Sequence, residues 1–346
     1  MMSADLPQLP TAPPSTACDP EPPLSGSHTD PGPWIKQTAL EIGFDLAGIT
    51  TLAPSSRRDY IRNWFIGGRH GTMDYLLRHA PIKLDPQTHW PWVKSVIVLG
   101  LLYDPPENCT PSPPQPHMNG QGKIAAYAAG RDYHRVMAGL LKKLASALRS
   151  KCGTGFQSVA GVDATPLLER EMAARAGLGW IGKNTMVIHP RKGSWFVLGE
   201  LLTNVDLPMD APMADHCGTC TRCIDACPTA ALTPYQMDAG RCISYQLIEN
   251  RGEIPPALHE PIREAGYLVG CDICQSVCPH NSKVVSRLHS PGDPDLSREE
   301  AIDLRSVLDW DDPQWDRETR GRATRRVKLP MWKRNAEILL GGRDPS

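Results

Sequence analysis

No apolar stretch in this 346-residue chain approaches the roughly 20 residues needed to cross a bilayer; the longest candidates, such as 96–102, are strand-sized. No membrane association is therefore expected. The first thirty or so residues lack the basic start and apolar centre of a secretory signal. They are proline-rich instead, so 1–33 is expected to be a disordered tail. Excess positive charge is missing as well. There are 37 Lys and Arg against 38 Asp and Glu, a net charge of −1, which excludes a globally basic nucleic-acid binder but leaves room for a local basic patch. A dinucleotide-binding fingerprint is also absent. Gly177-Leu178-Gly179-Trp180-Ile181-Gly182 has some of its spacing but follows an expected helix, without the strand that such a loop needs. No short-period repeat runs through the chain.

What the chain does have is cysteine, eleven in all. In a long chain without an export signal these read as thiolates kept reduced in the cytoplasm for metal binding, not as a disulfide scaffold. The first run is Cys217-x-x-Cys220-x-x-Cys223-x-x-x-Cys227-Pro228. Three thiolates at these steps wrap one cuboidal iron–sulfur cluster, and the next turn carries the fourth to a neighbouring cluster. The second run, Cys271-x-x-Cys274-x-x-x-Cys278-Pro279, is one cysteine short, because Leu268 stands where a full copy has its first. Two four-iron clusters need eight thiolates and the runs supply seven; Cys242, isolated between them, is the eighth. The crossing pattern then assigns Cys217, Cys220, Cys223 and Cys278 to one 4Fe-4S cluster, and Cys227, Cys242, Cys271 and Cys274 to the other. Zinc also accepts four cysteines, but a three-thiolate wrap followed by Cys-Pro is a cluster signature. Cys18, Cys109 and Cys152 read as ordinary residues, and His216 and His280 as neighbours of cluster cysteines.

Before the cysteines, helical and strand patterns alternate without a regular βαβ rhythm, which predicts an α+β fold. A helix is expected over 34–42, a buried strand over 93–102 and a proline-rich loop over 104–122. An amphipathic helix is expected over 132–151, with Val136, Leu140, Leu141, Leu144 and Leu148 on one face. A strand over 156–162 follows, then a helix over 166–176 opened by Pro166. Segments 185–188 and 195–202 read as paired strands around a turn at Lys192-Gly193. His134 reads as packing at a helix start, and Asp163 as a cap for the helix after Pro166. Near the end, 317–334 carries eight Lys or Arg against one acid, a local +7, before a short helix over 329–341. That stretch is either a phosphate contact or a solvated basic tail.

Several segments resemble the epoxyqueuosine reductases, cobalamin-dependent enzymes of tRNA modification. They are His70-Gly71-Thr72-Met73-Asp74-Tyr75-Leu76, Tyr127-Ala128-Ala129-Gly130-Arg131-Asp132-Tyr133-His134 and Asp163-Ala164-Thr165-Pro166-Leu167-Leu168-Glu169. The stretches 176–184, 193–200 and 241–245 match too, as does the seven-plus-one cysteine order. The resemblance implies a nitroreductase-like cobalamin-binding domain over 34–207, a ferredoxin-like module with two 4Fe-4S clusters over 208–285, and a truncated helical-repeat region over 286–346. It implies base-off cobalamin without a histidine ligand, reduced by the clusters, removing the epoxide oxygen of epoxyqueuosine at the tRNA wobble position. Asp163 matches the family's proton donor, a role that needs a carboxyl kept partly neutral by desolvation. Lys83, Lys183, Asn184, Ser244 and Gln246 are cofactor-lining candidates. Some members carry a cysteine near the cobalt where this chain has Ala125. The expected partners are the anticodon loop of tRNA and a low-potential donor such as a ferredoxin or flavodoxin, with the protein a monomer. A reductive dehalogenase-like enzyme and a ferredoxin-type electron carrier are the competing readings. The first usually carries a twin-arginine export signal, and the second has no need of so large a preceding domain.

Overall fold

The structure is a computed structural model that describes residues 30–104, 120–282 and 301–341. The expected proline-rich tail up to residue 29 and nearly all of the expected proline-rich loop lie outside these residues, as do Cys18 and Cys109. The expected end of the tail at residue 33 is corrected, because Gly32 and Pro33 already belong to the first helix, Pro33 fitting its first turn. Helix α1 (Gly32–Ile42) presents Ile35 and Ala39 to the core, and Gly43, at φ 122°, ends it by donating to the carbonyls of Ala39 and Leu40. The chain then enters β1 (Leu46–Thr50), crosses the surface as α2 (Arg58–Ile66) and α3 (Asp74–Leu84), and returns as β2 (Ser95–Leu102). Seven of the eight residues in β2 are buried, as expected for an apolar run of this length in the middle of a sheet.

Next come β3 (Gln121–Ile124), α4 (Ala126–Ala129) and α5 (Tyr133–Cys152), then β4 (Ser158–Gly161) and α6 (Glu169–Arg175). A small pair, β5 (Trp180–Ile181) and β6 (Val187–Ile188), precedes β7 (Phe196–Thr203). The main sheet has the order β1-β2-β7-β4 and every pairing in it is antiparallel. Alternation along the strands divides two cores. Ile97, Leu99 and Leu201 pack with α1 and with Met137, Leu141, Leu144 and Leu148 of α5. On the opposite face Val96, Val98 and Leu202 pack with Met172 and Ala173 of α6. An α+β architecture is what the irregular alternation predicts.

Two local expectations need correction. The helix after Asp163 begins at Glu169, three residues beyond Pro166, because the chain first turns through Ala164 and Thr165; Leu168, not Asp163, is its N-cap. Segment 185–188 pairs with Trp180–Ile181, not with 195–202. The turn at Lys192-Gly193 is present as a bridge between His189 and Gly193, but β7 then runs on between β2 and β4, where its apolar length is better buried.

The cysteine-rich part contains α7 (Arg222–Asp225), the pair β8 (Leu232–Thr233) and β9 (Gln236–Met237), α8 (Ile243–Ile248), α9 (His259–Ala265), β10 (Tyr267–Val269) and α10 (Ile273–Ser276). After it come β11 (Ala301–Asp303), α11 (Leu304–Asp309), α12 (Asp312–Thr319) and α13 (Leu329–Leu339). A second sheet, β10-β3-β11, draws one strand from each of the three expected segments. Trp332 and Met331 of α13 fill the core beneath it, and Asn335 donates to the carbonyls of Leu247 and Leu268, both at 3.0 Å.

The basic stretch is largely engaged within the fold. Arg326 forms a two-pronged pair with Glu249 at 2.5 and 2.6 Å, Arg325 and Arg320 both meet Asp316, and Lys328 lies over the ring of Trp315. Arg334 donates to the carbonyls of Asn250, Gly252 and Gln246. A loose solvated tail is therefore not what 317–334 forms. No helix among the described residues is long and apolar enough to cross a membrane.

Gly48, in β1, shows how closely α6 approaches the sheet. A Cβ there would sit 2.1 Å from the carbonyl oxygen of Ala176 and 2.6 Å from Leu178 Cδ1. Backbone cannot yield as a flexible side chain can, so Gly48→Ala should cost at least about 1–3 kcal/mol. A lowered Tm in thermal unfolding checks this, and an unchanged Tm would contradict it.

Candidate redox and proton-transfer site

The first cysteine run is shaped by local hydrogen bonds. Asp215 accepts from the Cys217 amide at 2.7 Å, the Cys220 amide donates to Cys217 O, and the single turn of α7 carries Cys223. Lys183 Nζ donates to the carbonyls of Gly218 and Cys220 at 2.7 and 3.0 Å, so this expected cofactor-lining residue braces the cysteine loop. Trp180, buried between the rings of His216 and His280, points its indole N–H at Cys217 Sγ, 3.5 Å away. In the second run the turn α10 carries Cys274, and Asn184 Nδ2 donates to Cys274 O at 3.1 Å.

The cysteines of the runs gather in two places. The charge on Cys223 is felt by Cys278, Cys217 and Cys220, and its thiol is pushed up to about 11, chiefly by burial. On the other side Cys227, Cys242, Cys271 and Cys274 line one cavity of about 250 Å³. Burial drives the thiols of Cys271 and Cys274 well above their ordinary range, with the neighbouring cysteines adding to it. All eight are free thiols. Four thiols around an open space suit an iron–sulfur cluster.

The cavity continues away from the thiols between Tyr103, Tyr127, Phe196 and Val197, with Ser244 and Asn184 also on its wall. Burial holds both tyrosine hydroxyls neutral, well above their ordinary range. Tyr103, Tyr127 and Val197 also border a smaller recess lined by Tyr133, whose hydroxyl donates to Asp163 Oδ2 at 3.4 Å. Gln246 is buried elsewhere, between Gly240 O and Asn250, and does not line this cavity. Ala125 is fully buried, with its Cβ close against Gly270.

Asp163 follows β4 on a loop and holds a left-handed φ of 51°, a conformation rare for residues with a side chain. His134, at the start of α5, lies between two carboxylates, with Nδ1 2.7 Å from Asp132 and Nε2 3.4 Å from Asp163. Burial alone would lower its pKa, but the hydrogen bonds with Asp163 and Asp132 outweigh that and raise it. The same His134 contact holds the Asp163 carboxyl below its ordinary range despite partial desolvation. The expectation of a desolvated, neutral Asp163 is therefore corrected: two donors and an exposed side chain keep it ionised here.

The desolvated carboxyls lie beside it. Glu169 accepts from the Asp163 amide at 2.6 Å, and burial pushes it up to about 7, with Asp163 reinforcing the shift. Glu200 faces Gly161 from the middle of β7, is fully buried, and is raised well above its ordinary range by that burial and by Glu169. Lys83 donates to Leu167 O at 2.9 Å, near both glutamates, and burial lowers its pKa. Sequence reasoning misses both glutamates. The one signal available to it is Glu200 itself, the lone charge in the apolar run Phe196-Val197-Leu198-Gly199-Glu200-Leu201-Leu202.

Residues 216–281 match the family described as "4Fe-4S double cluster binding domain". Joined to the α+β domain, this makes the chain an iron–sulfur oxidoreductase that carries two 4Fe-4S clusters. Residues 83–164 match "Epoxyqueuosine reductase QueG, DUF1730". The chain is 38% identical over 314 residues to an epoxyqueuosine reductase of Xanthomonas campestris pv. campestris, covering 90% of this chain and 87% of that one. It is 40% identical to one from Synechococcus, with 87% and 92% covered. A crystal structure of epoxyqueuosine reductase with a tRNA-Tyr epoxyqueuosine-modified stem loop superposes with a TM-score of 0.78, at 29% identity, over 89% of this chain and 80% of that one. This chain belongs to the epoxyqueuosine reductase family.

Proposed function

We propose that the protein reduces epoxyqueuosine to queuosine at the wobble position of tRNA, with electrons passed by two 4Fe-4S clusters to cobalamin in a nitroreductase-like domain. The observation that carries the reading is that Tyr103 and Tyr127 wall the cavity of Cys227, Cys242, Cys271 and Cys274 on one side and border Tyr133, the partner of Asp163, on the other. Cys217, Cys220, Cys223 and Cys278 would hold the outer cluster, and the four cavity thiols the inner one. An external low-potential donor such as a ferredoxin or flavodoxin would supply electrons to the outer cluster of a monomer. The segments 34–207, 208–285 and 286–346 would serve as cobalamin domain, cluster domain and C-terminal segment.

The cavity wall away from the thiols offers the aromatic and aliphatic faces of Tyr103, Tyr127, Phe196 and Val197, which would meet the face of a corrin ring, while Asn184, Ser244 and Gln275 are polar groups that would suit its amide-bearing rim. His134 has both ring nitrogens engaged, with Asp132 and Asp163, so its part would be to orient Asp163 rather than to hold the cofactor. When bound, cobalamin would supply a low-potential metal centre able to deliver electrons to an epoxide. The chain's own part is to exclude water with its tyrosines, to carry electrons on its thiol-bound clusters, and to hold a proton at Asp163 Oδ2 for the departing oxygen.

Protein purified without oxygen, loaded with cobalamin and chemically reduced should convert epoxyqueuosine-containing tRNA to queuosine-containing tRNA, read by mass spectrometry of the nucleosides. Unchanged tRNA under these conditions would defeat the reading.

A further inference from the structure

Removing the oxygen of an epoxide breaks both of its C–O bonds, forms a C=C bond and releases water. That balance takes two electrons and two protons. The clusters account for the electrons, delivered singly and replenished by the external donor, but Asp163 can hold only one proton. A second source is needed, and the inference about it rests on the proposed function above.

We propose that Glu200 and Glu169 jointly hold the second proton and pass it to the Asp163 site. The geometry favours this in three ways. Glu200 is 0% exposed at the centre of the sheet, and neither of its oxygens meets a donor among the described residues other than the adjacent Glu169 carboxyl, with which it can share a proton. A buried carboxylate with no donor is costly, and two neighbouring carboxyls resist ionising together, so one proton stays with the pair. Glu169 is in turn hydrogen-bonded to the backbone of Asp163, which places the pair directly behind the residue that it resupplies. Gly161, paired with Glu200 across β4 and β7, leaves room for the Glu200 carboxyl beneath the loop that carries Asp163: a Cβ there would lie 3.4 Å from Glu200 Oε2 and 2.8 Å from Thr165 Oγ1.

The charged groups facing the pair are Asp163 from the loop, Lys83 from α3 and Arg170 from α6, with His134 and Tyr133 of α5 reaching it through Asp163. Lys83 and Arg170 draw the pair toward ionisation, while burial and Asp163 oppose it. With Glu169 titrating near 7 and burial holding Glu200 well above its ordinary range, the pair gives up its first proton as pH rises past neutrality and keeps the second. Solvent reloads it after each turnover.

The test uses Glu169→Gln and Glu200→Gln in the reduced, cobalamin-loaded holoenzyme. Glu169→Gln keeps an oxygen to accept the Asp163 amide but holds no acidic proton, so it separates positioning from proton supply. Expected are a rate at least about tenfold lower, absence of the fall in rate that is expected of the unsubstituted protein as pH rises past about 7, and a larger solvent isotope effect. A second readout does not depend on cofactor loading. Infrared difference spectra of the unsubstituted protein should show a neutral-carboxyl band that loses part of its intensity as pH rises through neutrality, a loss missing in Glu169→Gln, whereas the part that persists above neutrality should be missing in Glu200→Gln. A Glu169→Gln protein with unaltered rate and pH profile would reduce Glu169 to a structural support and overturn the proposal, as would absence of the band. If the unsubstituted protein leaves epoxyqueuosine tRNA untouched while the band titrates, the functional reading fails and the shared proton stands.

Discussion

Asp163→Asn should lower conversion of epoxyqueuosine-containing tRNA by about 10²–10⁴-fold, the usual range for loss of a general acid, while the fold and tRNA binding survive. Asparagine tolerates the left-handed φ of 51° at this position better than most residues do, and its amide can still meet Tyr133. What it lacks is a proton. The His134 contact gives this loss a particular pH dependence. Because that contact holds Asp163 below its ordinary range, the donor must acquire its proton when substrate displaces water and the charged form is penalised. The protonated fraction of a carboxyl falls as pH rises, so single-turnover rates of the unsubstituted protein should decline toward higher pH. Those of Asp163→Asn should be low and flat. Equal rates for the two would remove Asp163 from the chemistry.

The second large effect is expected at Cys242. Cys242→Ser should reduce iron from about eight to about four atoms per chain and abolish turnover, since the thiols lining the cavity beside Tyr103 and Tyr127 would be one short. Cys242 stands at the start of α8, where the Ser244 and Tyr245 amides favour its thiolate against the burial that raises it. Cys152 provides the contrast. It ends α5 buried in the core with Leu148 and Phe156, and Cys152→Ser should leave iron content unchanged. Iron and sulfide analysis with electron paramagnetic resonance of the reduced protein reads both. Full iron occupancy in Cys242→Ser would show that the lone cysteine is not a ligand.

Much of this chemistry is legible in the amino-acid sequence alone. Cysteine spacing is a local property dictated by what one cluster can be wrapped by, so a division of the thiols into two sets follows from counting. The main-sheet strand β2 and helix α5 are legible because continuous or 3.6-periodic apolar runs leave the chain little choice. What escapes depends on residues distant in sequence. Thr185–Ile188 looks like a partner for the strand after Gly193, and only the demand of β2 for a neighbour takes that strand away. Glu200 and Glu169 look ordinary in their own segments. Their altered acidity exists only because β4, β7 and α6 converge around Gly161. Asp163 is identified through resemblance, and its ionised state is not foreseeable because His134 reaches it from another helix.

The short strand β3 bears on how such a protein can be rebuilt or recombined. It pairs in parallel with β10, next to Cys271, and antiparallel with β11, while the α4 turn that follows it supplies Tyr127 to the cavity wall. Four residues thus splice the electron-carrying part to the part that uses the electrons. A transplanted cluster segment would carry an open sheet edge unless 121–124 and 301–303 travelled with it. The distance between electron source and reaction chamber is therefore set by backbone pairing and not by a tether. Modules joined in this way are exchanged as one piece or not at all.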